Sequence, residues 1–296
     1  MRTIRIGTRG SALALKQTSM VREALLSLDP AVEIEVVIVK TTGDILADVP
    51  LDVIGGKGVF VKEIERALLD NEIDCAVHSL KDMQALLPES LIISAYLKRE
   101  DPRDMLFSKA GHTIETLPAG SRLGTSSMRR RCQMKLLRPD IEILDIRGNV
   151  PTRLAKVGDT LDAVVLAAAG VRRLGLAEGL MIDTMDLVPS PGQGIIAVET
   201  REQDAWLNDL LAGLDHAPTR ICAETERAFL AALGQDCNLP AGALATYTDN
   251  VVSITGVLGS PDETRLERLG MEGNDASIGR TLALALKNIV RPEALS

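Results

Sequence analysis

Aromatic side chains are scarce in this 296-residue chain, which has one tryptophan, two tyrosines and three phenylalanines. Grooves that bind single-stranded nucleic acid usually combine basic charge with aromatic rings on which the bases stack. A formal net charge of −8 also opposes the basic footprint of a general nucleic-acid-binding protein. We therefore expect no nucleic-acid partner.

Long apolar runs are missing as well. No run approaches the roughly 20 residues that a membrane-spanning helix needs, and the first residues, Met1 to Ile6, show strand-like alternation rather than the apolar core of a signal peptide. Hydrophobic residues make up 46% of the chain and charged residues 25%, as in soluble globular proteins. We expect a cytoplasmic protein with no membrane partner.

Cysteine and histidine are few and widely separated. The four cysteines form no CxxC pair and the three histidines are scattered, so we predict neither a metal site nor a disulfide framework. The contexts of Cys75, Cys132 and Cys222 are those of core thiols. Cys237 differs because it stands in the turn-forming stretch Leu233 to Gly242, where an exposed thiol is a candidate nucleophile or attachment point.

Arginine, in contrast, is concentrated in one segment. Seven arginines lie between Arg122 and Arg153, and eight basic against three acidic residues give this segment a formal charge of +5. The guanidinium group is a rigid fork of donors that matches carboxylate and phosphate oxygens. The segment therefore predicts an anion site within an acidic protein.

The order of predicted elements indicates α/β architecture. Strand-like stretches at Thr3 to Gly7 and Glu33 to Lys40 flank a helical stretch, and a second unit between Pro102 and Pro189 repeats the alternation. Gly194 to Glu199 reads as a strand that crosses back to the first unit. From Pro218 onward the pattern is typical of a small α+β domain.

Two arginine-bearing motifs fall where a predicted strand ends and a helix begins. These are Gly124 to Arg130 and Arg147 to Arg153. Free backbone N–H groups at a helix start, together with arginines, form an anion receptor, and the carboxyl ends of neighbouring strands face one crevice. The alternative is that these arginines lie on solvated helix faces, which is the interpretation we give to Arg122 and Arg138.

Two further stretches could contribute to a site. Lys81 and Asp82 follow a predicted strand, where Asp82 is either a helix cap or a group that transfers protons and balances a cation. The glycine-rich run Gly55 to Gly58 lacks the spacing of a phosphate-binding P-loop. It favours a lid, with Lys57 and Phe60 able to close over a ligand.

The sequence resembles the hydroxymethylbilane synthase family, also called porphobilinogen deaminase, over nearly its whole length. The matching motifs occur in family order and are Ile6-Gly-Thr-Arg-Gly-Ser11, Gly55-Gly-Lys-Gly-Val-Phe60, Ala76-Val-His-Ser-Leu-Lys-Asp82, Arg99-Glu-Asp-Pro-Arg-Asp104, Gly124-Thr-Ser-Ser-Met-Arg-Arg130, Arg147-Gly-Asn149 with Thr152-Arg153, Ala169-Gly-Val-Arg-Arg-Leu-Gly175, Gly192-Gln-Gly194, and Cys237 before Pro240. One departure is that Gln235 and Asp236 precede Cys237, where the family often has paired glycines.

The resemblance implies an α/β protein with two doubly wound domains similar to type II periplasmic binding proteins, plus a small α+β C-terminal domain. We expect domain 1 at residues 1–98 and 194–214, with the lid loop and Asp82. Domain 2 would be residues 99–193, which are rich in arginine. Domain 3 would be residues 215–296 and would carry Cys237.

The resemblance also implies the chemistry. Cys237 would hold a dipyrromethane cofactor through a thioether, four porphobilinogen molecules would be joined to it head to tail with loss of ammonia, and water would release hydroxymethylbilane. Asp82 would be the catalytic carboxylate. The residues expected to bind the cofactor and substrate are Arg9, Ser11, Lys57, Phe60, Lys81, Ser127, Arg129, Arg130, Arg147, Arg153 and Arg173.

Two other readings remain open. A non-catalytic two-lobed protein that binds a polycarboxylate would use the same fold, because a fold does not fix function. The co-occurrence of Asp82 with the loop residue Cys237 favours an enzyme over such a binder. Phosphate or nucleic-acid binding fits the arginines but not the aromatic content or net charge. No coiled-coil pattern demands a partner subunit, so we expect a monomer.

Overall fold

The chain divides into two compact units. In the computed structural model, the described residues are 2–45, 58, 60–177, 179–234 and 239–290. Unit 1 comprises Met1–Glu100 and Gly194–Ala223, and unit 2 comprises Asp101–Gln193 and Glu224–Ser296. Each unit is described below by itself.

Unit 1 is built on a five-stranded mixed sheet. Its strands are β1 (Thr3–Thr8), β2 (Glu33–Ile38), β3 (Cys75–Ser79), β4 (Leu91–Tyr96) and β10 (Ile196–Arg201), in the order β2-β1-β3-β10-β4. Strands β1, β2 and β3 are parallel, whereas β10 is antiparallel to both of its neighbours. The strand predicted to cross back after residue 193 therefore completes this sheet.

Helices cover the sheet of unit 1. They are α1 (Ala12–Leu28), α2 (Thr42–Ile45), α3 (Lys62–Leu69) and α7 (Ala205–Ala212). Val21 and Leu25 of α1 pack with Ile4 and Ile6 in one cluster, and Ile64 of α3 belongs to a second cluster that includes Ala76. Burial of these apolar stripes is the main stabilising term, at about 25 cal/mol per Å².

Unit 2 repeats the arrangement with β5 (Asp104–Ser108), β6 (Arg122–Gly124), β7 (Glu142–Leu144), β8 (Ala163–Ala167) and β9 (Leu180–Met181), in the order β7-β6-β8-β5-β9. Strands β6, β7 and β8 are parallel, and β5 is antiparallel to β8. The helices that follow the parallel strands are α4 (Met128–Leu137), α5 (Val150–Leu154) and α6 (Ala168–Arg173).

The C-terminal part is a three-stranded antiparallel sheet with two helices. Helix α8 (Ala217–Leu233) is followed by β11 (Ala241–Thr248), β12 (Val251–Gly259), β13 (Leu266–Gly273) and α9 (Ser277–Val290). Helices α8 and α9 approach closely at Gly279, where an added Cβ would lie 2.0 Å from the carbonyl oxygen of Thr225. Only a glycine permits this backbone distance.

The predicted fold class is confirmed, with two sheet-helix domains and a small C-terminal α+β domain. Strands β4, β5 and β9 and helices α2 and α7 had not been predicted. The boundaries of the three predicted domains stay a prediction. Cys75, Cys132 and Cys222 are buried, as expected, and burial raises the pKa of Cys132 to about 11. Among the described residues, no helix is long and apolar enough to cross a membrane.

Candidate active site

A pocket in unit 1 opens at the carboxyl ends of the parallel strands β1 and β3. Four of the predicted site residues line it, namely Arg9, Ser11, Phe60 and Asp82. His78, near the end of β3, lines the same pocket. The topology explains this grouping, because the loops after parallel strands meet at one edge of the sheet.

Ser11 and Asp82 are held by short local structures. Ser11 is the N-cap of α1, and its hydroxyl accepts a hydrogen bond from Ala14 N at 3.3 Å. Such caps satisfy backbone N–H groups that the helix leaves unpaired. Asp82 ends a single 3-10 turn, Leu80–Asp82, that directly follows β3, and both Asp82 and Lys81 are half-buried. This turn places the Asp82 carboxyl group at the pocket.

Arg9 already has an anionic partner in unit 1. Its Nη2 lies 2.5 Å from Asp44 Oδ1, and its guanidinium group stacks on the Phe60 ring at 4.0 Å from the centroid. The Phe60 ring fits here because Gly43 has no side chain; an added Cβ would lie 2.2 Å from the ring. Burial raises the pKa of Asp44, but hydrogen bonds from Arg9 and Thr41 outweigh it and hold this pKa below its usual value.

In unit 2, the loops after β6 and β7 are hydrogen-bonded to each other. Ser126 Oγ donates to the carbonyl oxygen of Ile146 at 2.7 Å and accepts from Ile146 N at 2.8 Å. Ser127 is the N-cap of α4 and accepts from Arg130 N at 3.5 Å. The two predicted anion-binding motifs therefore lie side by side at the carboxyl edge of this sheet.

Arg129 and Arg130 are buried and share one carboxylate, Asp104 at the start of β5. Arg129 Nη1 lies 2.8 Å from Asp104 Oδ2, and Arg130 Nη2 lies 2.6 Å from Asp104 Oδ1. Burial raises the pKa of Asp104, but the two guanidinium groups outweigh it and hold this pKa far below its usual range. Gln193 also donates to Asp104 Oδ1, at 2.9 Å. Two cations and one anion leave this cluster with a charge of +1.

The other predicted arginines of unit 2 follow the ends of β7 and β8. Arg147 is half-buried in the loop after β7, and Arg153, in helix α5, donates from Nε to the carbonyl oxygen of Gly148 at 2.7 Å. Arg173 is the last residue of α6, the helix that follows β8. All three therefore lie on segments that leave the same edge of the sheet as Arg129 and Arg130.

Three arginines of the basic segment that were not predicted to bind the cofactor or substrate are engaged in ion pairs. Arg122 pairs with Asp162, Arg138 pairs with Asp140, and Arg131 lies 3.2 Å from both Asp145 and Glu263. Each of these pairs is at least partly exposed, where an ion pair contributes about 0–1 kcal/mol. Lys57 and Cys237 lie outside the described residues.

Several polar residues of these sites were not identified from the sequence. They are Asp44, His78, Asp104, Gln193 and Glu199, of which Asp104 and Glu199 are fully buried. One signal was available for Glu199, because it is a carboxylate that follows the apolar run Ile195 to Val198. Charged residues are almost never fully buried unless they are paired.

Comparison with known proteins identifies the family. The model described as "Porphobilinogen deaminase, dipyromethane cofactor binding domain" matches residues 4–209, and "Porphobilinogen deaminase, C-terminal domain" matches residues 220–288. The chain belongs to the porphobilinogen deaminase family. Porphobilinogen deaminase of Syntrophobacter fumaroxidans is 46% identical over 96% of this chain and 94% of its own length. That of Syntrophus aciditrophicus is 48% identical over 92% of this chain and 90% of its own length.

Porphobilinogen deaminases are transferases of tetrapyrrole biosynthesis, and the alternative of a non-catalytic polycarboxylate binder is not favoured. Among solved structures, the methionine-binding protein MetQ is similar with a TM-score of 0.44 and 13% identity, over 71% of this chain and 88% of that one.

The charge in unit 2 fits the cofactor named by the family model. A dipyrromethane carries carboxylate groups, and the cluster of Arg129, Arg130 and Asp104 has a net positive charge. The Nε atoms of both arginines are buried without a hydrogen-bond partner in the described part of the chain. The net positive charge of the cluster favours an anionic ligand near it.

Proposed function

We propose that this chain catalyses the head-to-tail joining of four porphobilinogen molecules with loss of ammonia and releases hydroxymethylbilane by hydrolysis. The observation that carries the proposal is the pocket of unit 1, which brings Arg9, Ser11 and Asp82 together at the carboxyl ends of β1 and β3. An arginine, a hydroxyl and a carboxylate are the groups needed to hold an acidic substrate and to move a proton beside it.

In this proposal Asp82 is the catalytic residue. Its carboxylate accepts the proton that leaves the ring carbon at which the new bond forms, and its negative charge balances the positive charge that develops on the ring. Lys81, on the same 3-10 turn, and Ser11 bind substrate carboxylates. Phe60 and Lys57 would cover the bound rings and exclude water.

The arginines of unit 2 would bind the carboxylates of the cofactor and of the growing chain. Each added ring brings an acetate and a propionate group, so binding requires several cations distributed over a surface rather than one strong site. We assign this role to Ser127, Arg129, Arg130, Arg147, Arg153 and Arg173. When bound, the dipyrromethane supplies the ring to which the first substrate is joined, and Cys237 would hold it through a thioether.

The remaining parts of the proposal concern organisation. We propose three domains, with residues 1–98 and 194–214 in domain 1, 99–193 in domain 2 and 215–296 in domain 3. We also propose a cytoplasmic monomer that binds porphobilinogen and neither nucleic acid nor membrane. The net charge of −8 supports the absence of a nucleic-acid partner.

Intact-mass measurement of the purified protein tests the cofactor assignment. We expect the mass of the chain plus two pyrrole rings, and the unmodified mass for Cys237→Ser. Cys132→Ser is the matched control, because Cys132 is buried and should leave the added mass unchanged. An unmodified wild-type chain that forms no product with porphobilinogen would contradict the proposal.

Two substitutions test the residue roles. Asp82→Asn should lower turnover by about 100-fold or more, the usual contribution of a positioned acid or base, with an unchanged circular dichroism spectrum.

Arg147→Leu should stall elongation and accumulate enzyme-bound intermediates, which mass spectrometry resolves. Arg122→Leu removes an arginine of the exposed Arg122–Asp162 pair and is the control. Equal elongation profiles for the two arginine variants would remove Arg147 from the site.

A further inference from the structure

Three ionisable side chains of unit 1 form a buried cluster behind the pocket that contains Asp82. They are Glu65 of α3, His78 of β3 and Glu199 of β10, with exposed fractions of 6%, 6% and 0%. His78 Nε2 lies 3.1 Å from Glu199 Oε2. The roles proposed above use none of these three residues.

The sheet register explains why the three residues meet. In the antiparallel pair β3–β10, His78 is opposite Ala197 and Glu199 is opposite Ala76, so all four side chains point to the same face of the sheet. Helix α3 packs on this face through Ile64, which clusters with Ala76. Glu65, the next residue of that helix, is buried and interacts electrostatically with both Glu199 and His78.

The cluster holds more negative charge than its surroundings can balance. If both carboxyl groups ionised and the imidazole were neutral, the charge would be −2 in a buried space, which is costly. Oxygen Oε1 of Glu65 and Oε1 of Glu199 have no hydrogen-bond partner among the described residues. Burial and the charge of Glu199 raise the pKa of Glu65 to about 7, against the opposite effects of His78 and Lys62.

Other charged side chains of unit 1 make hydrogen bonds elsewhere or lie on the pocket side of His78. Arg201, farther along β10, donates to the carbonyl oxygens of Leu68 and Ile73. On the pocket side, His78 shares the cavity with Arg9 and Asp82. Protonation of Glu65 therefore lowers the negative charge of the cluster.

A purely structural role does not account for three ionisable groups. Five consecutive residue pairs, Cys75–Ser79 with Ile196–Thr200, already fix the register of β3 on β10. Replacing a buried ion pair by apolar side chains of similar volume is often neutral or stabilising. Because His78 lines the pocket that contains Asp82, the ionisable groups can affect the reaction through its imidazole ring.

We propose that Glu199 and Glu65 are positioning residues for the reaction: Glu199 fixes the orientation of the His78 imidazole at the wall of the Asp82 pocket, and Glu65 sets the charge behind that ring. Because Glu199 contacts Nε2, the neutral ring carries its proton on that nitrogen, and Nδ1 is the atom that can meet a group in the pocket. Ionisation of Glu65 adds negative charge behind the ring and changes the electrostatic field at Asp82. The inference rests on the catalytic role proposed for Asp82.

The direct test is NMR of the holoenzyme labelled with ¹⁵N-histidine. The chain has three histidines, and His78→Gln assigns the His78 signals. We expect Nε2 to carry the proton in the neutral ring and the His78 shifts to move in a step near pH 7 that disappears in Glu65→Gln. The control is Glu72→Gln. Glu72 is exposed and lies two residues after Asp70, the C-cap of α3, so this variant should keep the step.

Kinetics provide the second test. We expect Glu199→Gln to lower kcat by about tenfold, with KM for porphobilinogen within about twofold. Glu65→Gln should remove an inflection near pH 7 from the kcat profile, and Glu72→Gln should resemble the wild type.

The inference is overturned if the NMR step persists in Glu65→Gln, or if the neutral ring carries its proton on Nδ1. It is also overturned if Glu65→Gln loses the same fraction of kcat at every pH, as a loss of folded enzyme would cause. Failure of the proposed function is distinguishable, because the wild-type enzyme would then form no product while the NMR result would stand.

Discussion

Asp104→Asn tests the buried charge cluster of unit 2. The Asp104 carboxylate is fully buried between Arg129 and Arg130, with ion-pair distances of 2.8 and 2.6 Å. Asparagine has nearly the same size but no charge, and its NH₂ group would replace an acceptor that faces donors. The variant therefore leaves two guanidinium groups buried with no counter-charge.

The size of the effect follows from burial. Removing one partner of a buried ion pair typically costs about 3–5 kcal/mol, because the remaining charge is left uncompensated. Asp162→Asn is the matched control, since Asp162 pairs with Arg122 and the two side chains are 45% and 42% exposed. An exposed pair contributes about 0–1 kcal/mol. We expect the two free energies of unfolding to differ by at least about 2 kcal/mol.

Urea unfolding measures this difference. Circular dichroism follows the whole chain, and the fluorescence of Trp206, the single tryptophan, follows unit 1. With about 3 kcal/mol per M of urea, the expected loss moves the Asp104→Asn midpoint down by about 1–2 M. Asp162→Asn should move it by less than about 0.4 M.

The contribution of Asp104 to stability should also depend on pH in a defined direction. The pKa of Asp104 is lower in the folded protein than in the unfolded chain. Its contribution is therefore present above the unfolded pKa and is lost as the pH falls toward the folded value. Wild type and Asp104→Asn should converge only in strong acid. Equal, small losses for both variants at neutral pH would refute the reasoning, because the arginines would then have another counter-charge.

Two further predictions concern stability. The pKa of Glu65 rises from 4.5 to about 7 on folding, so the contribution of this group to stability is greatest below pH 4.5 and falls by up to about 3 kcal/mol as the pH rises from 4.5 to about 7. Denaturation at several pH values should show that Glu65→Gln lacks this component; the same slope in both proteins would contradict it. Gly279→Ala should cost about 1–3 kcal/mol or more, because the new Cβ would lie 2.0 Å from Thr225 O. Gly270→Ala, whose nearest contact would be 3.9 Å, should change the thermal midpoint little, and equal midpoints for the two variants would refute the close approach.

The periodic elements could be predicted from the sequence because their patterns are local. The helical stretch predicted between the first two strands is helix α1 at Ala12–Leu28, with Ser11 as its cap. Strand β5 was missed because it begins with a charged residue, Asp104, that reads as a loop until its two arginines are known. The pairing of Asp104 with Arg130 joins residues 26 positions apart, which no local pattern encodes.

The candidate site shows the same division. Sequence placed Arg129, Arg130, Arg147 and Arg153 after strand ends, and the structure has them there. It could not tell which arginines are already paired, because ion pairing depends on side chains brought together by the sheet. The cluster of Glu65, His78 and Glu199 was missed for this reason, since each residue comes from a different element.

Strands β5 and β10, each antiparallel to its neighbours in the sheet, have different consequences for folding during synthesis on the ribosome. In unit 2, β5 precedes the strands it joins, so the sheet can close once residue 181 has emerged. In unit 1, β10 lies between β3 and β4, and among the described strands β4 pairs only with β10, so two of this sheet's four strand pairings must wait for residue 201. Domains generally fold as units, and unpaired strand edges invite aggregation. The sheet of unit 1 is therefore begun first but completed after the sheet of unit 2, and the edge of β3 stays unpaired until β10 has been made.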